Sequence, residues 1–444
     1  MRTFFRTLSD TFSFFVLWAR LECLALFGSA KKSRAIGLNP QQAGLRHALL
    51  LSFFPPMITG GVYRPLSLAK YAHRSQWHID VLTAHSGEEV SPPAQALLKE
   101  VPPDVGVYRP AMKKLQPAWS ISQKVEVDGG LVNALTLAKW GIKNLSDELF
   151  DVIVASGPSF SYFITGYLIS KSFGRPLVLD YRDEWSENPF SFVKRTSFGG
   201  KWEKRCLAHA KKVIFTTDSQ KEHACDIFGQ SVYDKSIVIR NGWDEEHRGN
   251  PDLLGQKPKP TPHSIVFAGY IGLHAPFHLF LEDLRQSAQR KPALVENYQI
   301  SVVGSQPPEV ISQTKSSPLG SIVVFEPQLP ITDVITRLNS GRIGLIIVTK
   351  DFERYIPGKL YYYLASDIPI LVFGAPGETK NIVEELDAGI FVEDGNPEKL
   401  IDALATFDRE PASRWNNQAR KDWLISHTRA NRADAFFKAL DELV

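Results

Sequence analysis

The chain is constrained most by a repeated order of short apolar runs, each closed by a polar or glycine-bearing turn and followed by a stretch of helical spacing. "RHALLLSFFPP" (46–56) is one such run, ended by prolines. Two glycines follow in "TGGVYRPLSLAKYAHRS", then Leu66, Leu68, Ala69 and Ala72 at helical spacing, then the run "WHIDVLTAH" (77–85). Continuous runs of this length suit parallel strands buried on both faces. A strand, a glycine turn, a helix and a strand in succession make the building unit of a doubly wound sheet.

The order continues through "FDVIVASGP" (150–158), "RPLVLDYRDEW" (175–185), "KKVIFTTDS" (211–219) and "SIVIRNGWD" (236–244). A polar, proline-bearing stretch, "EEHRGNPDLLGQKPKPTPH" (245–263), then reads as a linker. A second series starts at "SIVFAGYIG" (264–272) and runs through "YQISVVGSQ", "SIVVFEPQL", "RIGLIIVTK" and "IPILVFGAPG". The expected fold is therefore α/β, with two Rossmann-like, doubly wound parallel-sheet domains. Their expected spans are 46–250 and 251–415, after a basic, aromatic helical extension over 1–45 and before a C-terminal helix over 416–444 that packs back toward the first domain. A chain of 444 residues is long enough for two cores.

Composition removes several function classes. A net charge of +3 is nearly balanced, so nucleic acid is not an expected partner. Cys23, Cys206 and Cys225 have no CxxC spacing and the histidines no HExxH pattern, so neither a disulfide framework nor a metal site is expected. The first 50 residues are different: Arg2, Arg6, Arg20, Lys31, Lys32, Arg34 and Arg46 stand against only Asp10 and Glu22. Their apolar run "FSFFVLWARLECLALFG" is interrupted by Arg20 and Glu22. It falls short of the roughly 18–20 apolar residues of a spanning helix, and no A-x-A-like cleavage site follows. Three readings stay open: a helix lying in a membrane interface through residues 1–34, a helix docked on its own protein, and a true span.

In parallel sheets ligands bind beyond the carboxyl ends of the strands, which selects the candidate residues. Gly60 and Gly61 follow the first run, and bare backbone there allows close approach of a phosphate or sugar, although an ordinary turn needs the same residues. Asp180, Arg182, Asp183 and Glu184 close the "DYRDEW" strand end, either as a salt bridge that fixes the loop or as groups that bond acceptor hydroxyls. Asn241 and Gly242 stand at the turn within "IRNGWD", and Gly269 and Gly272 follow the first run of the second series. "IPGKLYYYLASDIPI" (356–370) places one lysine, Lys359, after a Pro-Gly turn at a helix start, where an anion is favoured. Its three tyrosines read equally well as core and surface aromatics of a buried helix.

Taken together and in order, "FPPMITGGVYRPLSLAKYA", "DYRDEW", "IRNGWD", "VFAGYIG" and "IPGKLYYYLASDIPIL" resemble the GT-B fold glycosyltransferases, in particular the large retaining, nucleotide-sugar-dependent group (glycosyltransferase family 4-like) of bacterial polysaccharide and glycolipid synthesis. The resemblance implies transfer of a hexosyl group from a nucleotide sugar to a hydroxyl of a glycan or lipid-linked acceptor, with retention and without a metal. The nucleotide sugar is then a co-substrate and no cofactor is needed. It implies Gly60 and Gly61 facing the donor diphosphate and acceptor, Lys359 on the diphosphate, and Arg64 or Arg354 as a further cation; strand-end position adds Gly269 and Gly272 near the donor and Arg182, Asp183 and Asn241 on the acceptor side or in the cleft. If the cationic, aromatic N-terminus is an interfacial helix, it would hold a cytoplasmic enzyme peripherally on the inner face of the membrane, which suits a lipid-linked acceptor.

The departures from that pattern are specific. A glutamate pair eight residues apart, which holds the donor ribose in the group, is replaced here by Arg354 and Tyr362. A phenol cannot accept two bonds as a carboxylate does, and Glu353 or Glu378 are the nearby substitutes. The basic residue expected after the second glycine loop is replaced by His274 and Ala275, and the histidine usual after the "SGP" strand by Ser161 and Tyr162. Two rival functions are a non-catalytic GT-B binding subunit and a sugar-nucleotide epimerase or hydrolase on the same fold.

Overall fold

A computed structural model describes residues 2–27, 44–84, 91–112, 119–190, 193–245, 263–272, 275–295, 297–329, 331–366 and 368–444. The linker stretch at 245–263 lies almost wholly outside them, as do Lys31, Lys32, Arg34 and His274.

The apolar runs form two all-parallel sheets. Seven strands make the first: β1 (Arg46–Leu51), β2 (Trp77–Leu82), β3 (Val107–Tyr108), β4 (Val152–Gly157), β5 (Leu177–Tyr181), β6 (Lys212–Phe215) and β7 (Ser236–Val238), in the order β3-β2-β1-β4-β5-β6-β7. The second has β8 (Ser264–Ala268), β9 (Gln299–Val303), β10 (Val323–Glu326), β11 (Ile343–Val348), β12 (Ile370–Gly374) and β13 (Gly389–Glu393), in the order β10-β9-β8-β11-β12-β13. Every residue of β2, β4, β5, β11 and β12 is buried, as strands covered by helices on both faces must be. β1 stops at Leu51, opposite Leu82 at the end of β2, and Pro55 and Pro56, which have no N–H, bar any further ladder. β3 has no apolar run to announce it and pairs only through Val81 with Val107 and Leu82 with Tyr108.

The chain divides into two compact units, residues 1–240 with 432–444, and residues 241–431. The last helix, Arg429–Asp441, therefore ends in the first unit, where Ala433, Phe436, Phe437 and Leu440 pack with Leu50, Trp77 and Val81. In each sheet the strand order reverses at one place, between β1 and β4 and between β8 and β11. Such reversals open a crevice at the carboxyl ends of the strands. Gly60 and Gly61 follow β1 and Gly269 follows β8, so each glycine turn stands beside a reversal.

The N-terminal helix, Arg2–Phe27, is docked on the first unit. Phe14, Leu21 and Ala25 enter the core formed with helices Leu131–Asn144 and Ser161–Phe173. Trp18 meets Phe198 edge-on at 5.7 Å, and Arg205 donates to Glu22 at 2.6 Å. No helix of the described residues is long and apolar enough to cross a membrane.

Candidate functional site

In the first unit the charged residues at the strand ends turn inward and tie loops together. Gly60 and Gly61 lie in a single 3-10 turn, Gly60–Val62. A Cβ on Gly60 would meet nothing, whereas one on Gly61 would sit 2.8 Å from Arg182 Nη1. That guanidinium donates to the carbonyls of Gly61, Gly157 and Pro158, so the buried Arg182 clamps the turns after β1 and β4 from the end of β5. Arg64 is spent in a similar way. It donates twice to Asp180 at 2.8–3.1 Å and to the carbonyls of Ile239 at 2.9 Å and Arg240 at 3.2 Å. Ser156 completes the Asp180 shell at 2.7 Å. Both arginines thus hold the crevice floor, with donors directed to the protein. Ser161 bonds Ser159 at 3.0 Å, and the buried Tyr162 hydroxyl accepts from Ala84 N at 3.2 Å.

Asp183 differs from these neighbours. It follows the clamp residue directly, is half-buried, and accepts no hydrogen bond from a described residue. Burial pushes its carboxyl up to about 6, against the pull of the Arg182 charge. A carboxylate in that state is suited to receive a proton or a hydroxyl hydrogen bond. Asn241 lies just beyond β7, where the chain passes from one unit to the other. The following Gly242 and Trp243 lie against the C-terminal segment, with Trp243 N donating to His427 O at 3.1 Å.

In the second unit the site is built around Lys359. Gly269 and Gly304 close β8 and β9 with φ near +139° and +138°, a region open mainly to glycine. A Cβ on Gly304 would come 2.9 Å from Gly269 O, so the two turns touch through bare backbone. Gln306, a residue that no sequence motif singled out, fixes them: it donates to Gly269 O at 2.7 Å and Gly304 O at 3.1 Å and accepts from Ile271 N at 2.8 Å. Lys359 reaches this turn. Its Nζ lies over the Phe267 ring at 4.2 Å, and a Cβ on Gly269 would be 2.9 Å from it. The ammonium forms no ion pair with a described residue, and burial holds it down to about 8. Desolvation without a carboxylate partner is a cost that an incoming anion offsets.

The helix that Lys359 opens, Lys359–Ala365, is only seven residues long, so the ammonium itself supplies most of the charge there. Tyr361 and Tyr363 are core residues: Tyr361 stacks on Trp423 at 5.4 Å, and the Tyr363 hydroxyl accepts from Ala268 N at 2.7 Å. Tyr362 is the half-buried member of the three. Arg420, also without a sequence signal, fixes this helix by donating to Leu364 O and Ile368 O at 2.9 Å, Trp415 O at 2.8 Å, Tyr363 O at 2.7 Å and Ser366 O. Glu353 and Glu378, far apart in sequence, meet through their backbones, with Glu378 N donating to Glu353 O at 2.8 Å. Gly377 permits this, since a Cβ there would collide with Glu353 O. Arg354 lies 3.9 Å from the Glu353 carboxylate. Gly272 lies against the Tyr270 ring and outside the Lys359 contacts.

Residues 59–242 match the model of the glycosyl transferase 4-like domain. No curated protein sequence matches the chain. Solved structures share its fold at low identity. HepE from Anabaena, in complex with UDP, is 15% identical, with 90% of this chain and 100% of that one covered and a TM-score of 0.65. Sucrose-phosphate synthase from Thermosynechococcus elongatus is 15% identical over 90% and 99%, with a TM-score of 0.62. A mutant of TarM from S. aureus, in complex with fondaparinux, α-GlcNAc-glycerol and UDP, is 10% identical over 89% and 99%, with a TM-score of 0.63.

Proposed function

We propose that this chain, with its glycosyl transferase 4-like domain and GT-B fold, is a glycosyltransferase that passes a hexosyl group from a nucleotide sugar to a hydroxyl of a glycan or lipid-linked acceptor, with retention, and that Lys359 receives the departing diphosphate. The observation that carries this reading is the half-buried Lys359 ammonium beside the Gly269 turn, which has no ion-pair partner among the described residues. Breaking the glycosidic bond puts negative charge on the β-phosphate oxygen, and a fixed cation in a low-dielectric site lowers that barrier. Retention and independence of a metal rest on the family resemblance.

Ribose recognition falls to Glu353 and Glu378, which the backbone bond between them holds together. On the acceptor side Asp183 orients the incoming hydroxyl, while Arg182 and Arg64 keep the loops around it in place. The complexes of HepE and TarM with UDP make uridine nucleotides the first donors to try. Transfer of labelled sugar from a panel of nucleotide sugars to a membrane extract tests the reading. Hydrolysis or epimerisation of donor without any glycosylated product would overturn it.

A hold on the cytoplasmic membrane surface is part of the proposal. The face of the N-terminal helix opposite Phe14, Leu21 and Ala25 carries Leu8, Phe12, Phe15, Val16 and Leu26, with Phe12 72% and Leu26 66% exposed. A helix with one face docked and an aromatic, apolar stripe outward matches an interfacial anchor, and the basic excess of the first 50 residues suits anionic headgroups.

A further inference from the structure

The spacing of histidines along the chain signals no metal, yet the fold gathers His73, His78 and Asp104 at one point, at the start of β2. This is the end of the sheet opposite the Gly60–Gly61 turn. His73 Nε2 is 3.0 Å from Asp104 Oδ2 and 3.5 Å from His78 Nδ1, and His78 Nδ1 is 3.6 Å from the same carboxylate oxygen. Ligand atoms about 2.0–2.2 Å from a tetrahedral zinc are separated by about 3.3–3.5 Å. The three contacts fall around that value, so one cation fits at the centre with three protein ligands.

The surroundings point the same way. Asp80 accepts from Gly106 N at 2.8 Å and from the Tyr108 hydroxyl at 3.4 Å, and His78 Nε2 stands 3.1 Å from it. A carboxylate that already accepts in this way takes the Nε2 proton as a further bond. The neutral ring of His78 then turns its Nδ1 lone pair toward Asp104 and His73. His78 Nδ1 and Asp104 Oδ2 then both face His73 Nε2 as acceptors, an arrangement that a proton on His73 or a cation at the centre satisfies. A carboxylate behind a ligating histidine is also the usual outer partner at zinc sites, where it sets the tautomer and raises ligand basicity. His78 is fully buried, whereas the side chain of His73 is 55% exposed, so the fourth position opens to water on the solvent side.

We infer that His73, His78 and Asp104 form a site for a zinc-like divalent cation, separate from the sugar-transfer chemistry. It would fasten the turn before β2 to the loop that leads into β3, the short edge strand. Two nitrogens and one oxygen suit zinc or cobalt and disfavour magnesium, which demands an all-oxygen octahedron.

The test uses the untagged full-length chain, stripped with chelator and titrated with Co²⁺ and Zn²⁺. One equivalent of Co²⁺ should give the intense visible bands of four-coordinate cobalt, Zn²⁺ should displace it, and Zn²⁺ but not Mg²⁺ should raise the melting temperature. His73→Ala and Asp104→Asn should abolish the bands and the shift. Both residues are at least partly exposed, so these variants are expected to fold. Asp80→Asn should weaken Zn²⁺ binding by about 10–100-fold while leaving the bands at saturation. Absence of tetrahedral Co²⁺ bands in wild type, or bands and thermal shifts that persist in the His73 and Asp104 variants, would overturn the inference.

Discussion

Lys359 Nζ and the α-carbon of Gly269 are so placed that a methyl group on the glycine would lie 2.9 Å from the ammonium. The lysine is thereby held over Phe267 by a turn that only a residue without a side chain can make there. Gly269→Ala forces the ammonium aside and also strains a backbone at φ +139°. The expected cost is about 1–3 kcal/mol of stability and roughly tenfold in UDP affinity, equivalent to about 1.4 kcal/mol. Thermal unfolding and calorimetry on the same sample read both.

Transfer should have a bell-shaped dependence on pH. The Asp183 carboxyl, raised to about 6, must be ionised to hold the acceptor hydroxyl, so the rate falls as pH drops through 6. The Lys359 ammonium, lowered to about 8, must be charged to receive the diphosphate, so the rate falls again as pH rises through 8 in the free enzyme. Asp183→Asn should remove the acid limb and lower the rate with little change in UDP affinity. Lys359→Arg should move the alkaline limb upward, since a guanidinium stays charged. Steady-state rates from pH 5 to 10 on the three proteins check the assignments.

Arg420 stabilises the helix that carries Lys359 without touching a substrate. Its guanidinium satisfies carbonyls at the C-terminal end of that helix, which have no partners within it. Arg420→Met removes the guanidinium bonds to Leu364 O, Ile368 O and Trp415 O and leaves Tyr363 O only its bond from Ser366 N at 3.2 Å, for an expected loss of about 3–5 kcal/mol. Differential scanning calorimetry should show an earlier transition for the second unit and an unshifted one for the first.

The two faces of the N-terminal helix should respond in opposite ways. Phe14→Ala opens the core of the first unit and should cost about 3–5 kcal/mol. Phe12→Ser with Phe15→Ser touches the outer stripe and should leave the melting temperature within a few degrees, yet release the protein from anionic vesicles in a flotation assay. Deletion of the helix is a poorer probe, because it strips cover from helices Leu131–Asn144 and Ser161–Phe173.

Much of the fold could be read directly because its strands are buried on both faces, and a continuous apolar run has few other ways to satisfy its backbone. β3 escaped that logic, being two half-buried residues held by pairing with β2. The strand-end charges were visible as positions and silent as roles. Nothing local to "DYRDEW" tells that Arg182 turns back to Gly61 and Pro158 while the next residue, Asp183, is left without a bonded partner among the described residues. Spacing could not reveal the His73, His78 and Asp104 cluster either, since a helix and a loop separate its members. Lys359 stood out as a candidate because a cation after a Pro-Gly turn at a helix start suits an anion, but its approach to Gly269 and Phe267 is a tertiary contact that the sequence does not show. The carbonyl web of Arg420 was not legible, because an arginine inside an amphipathic helix ordinarily faces water.

The most direct measurement is calorimetric binding of UDP, GDP, ADP and TDP to the wild-type chain and to Lys359→Ala. One nucleotide should bind wild type in the micromolar range, and the variant should bind it about 10–100-fold more weakly, the loss of one charge-assisted bond of about 1.5–3 kcal/mol. Equal affinity in the two proteins, or no binding of any nucleotide by wild type, would contradict the placement of the diphosphate on Lys359.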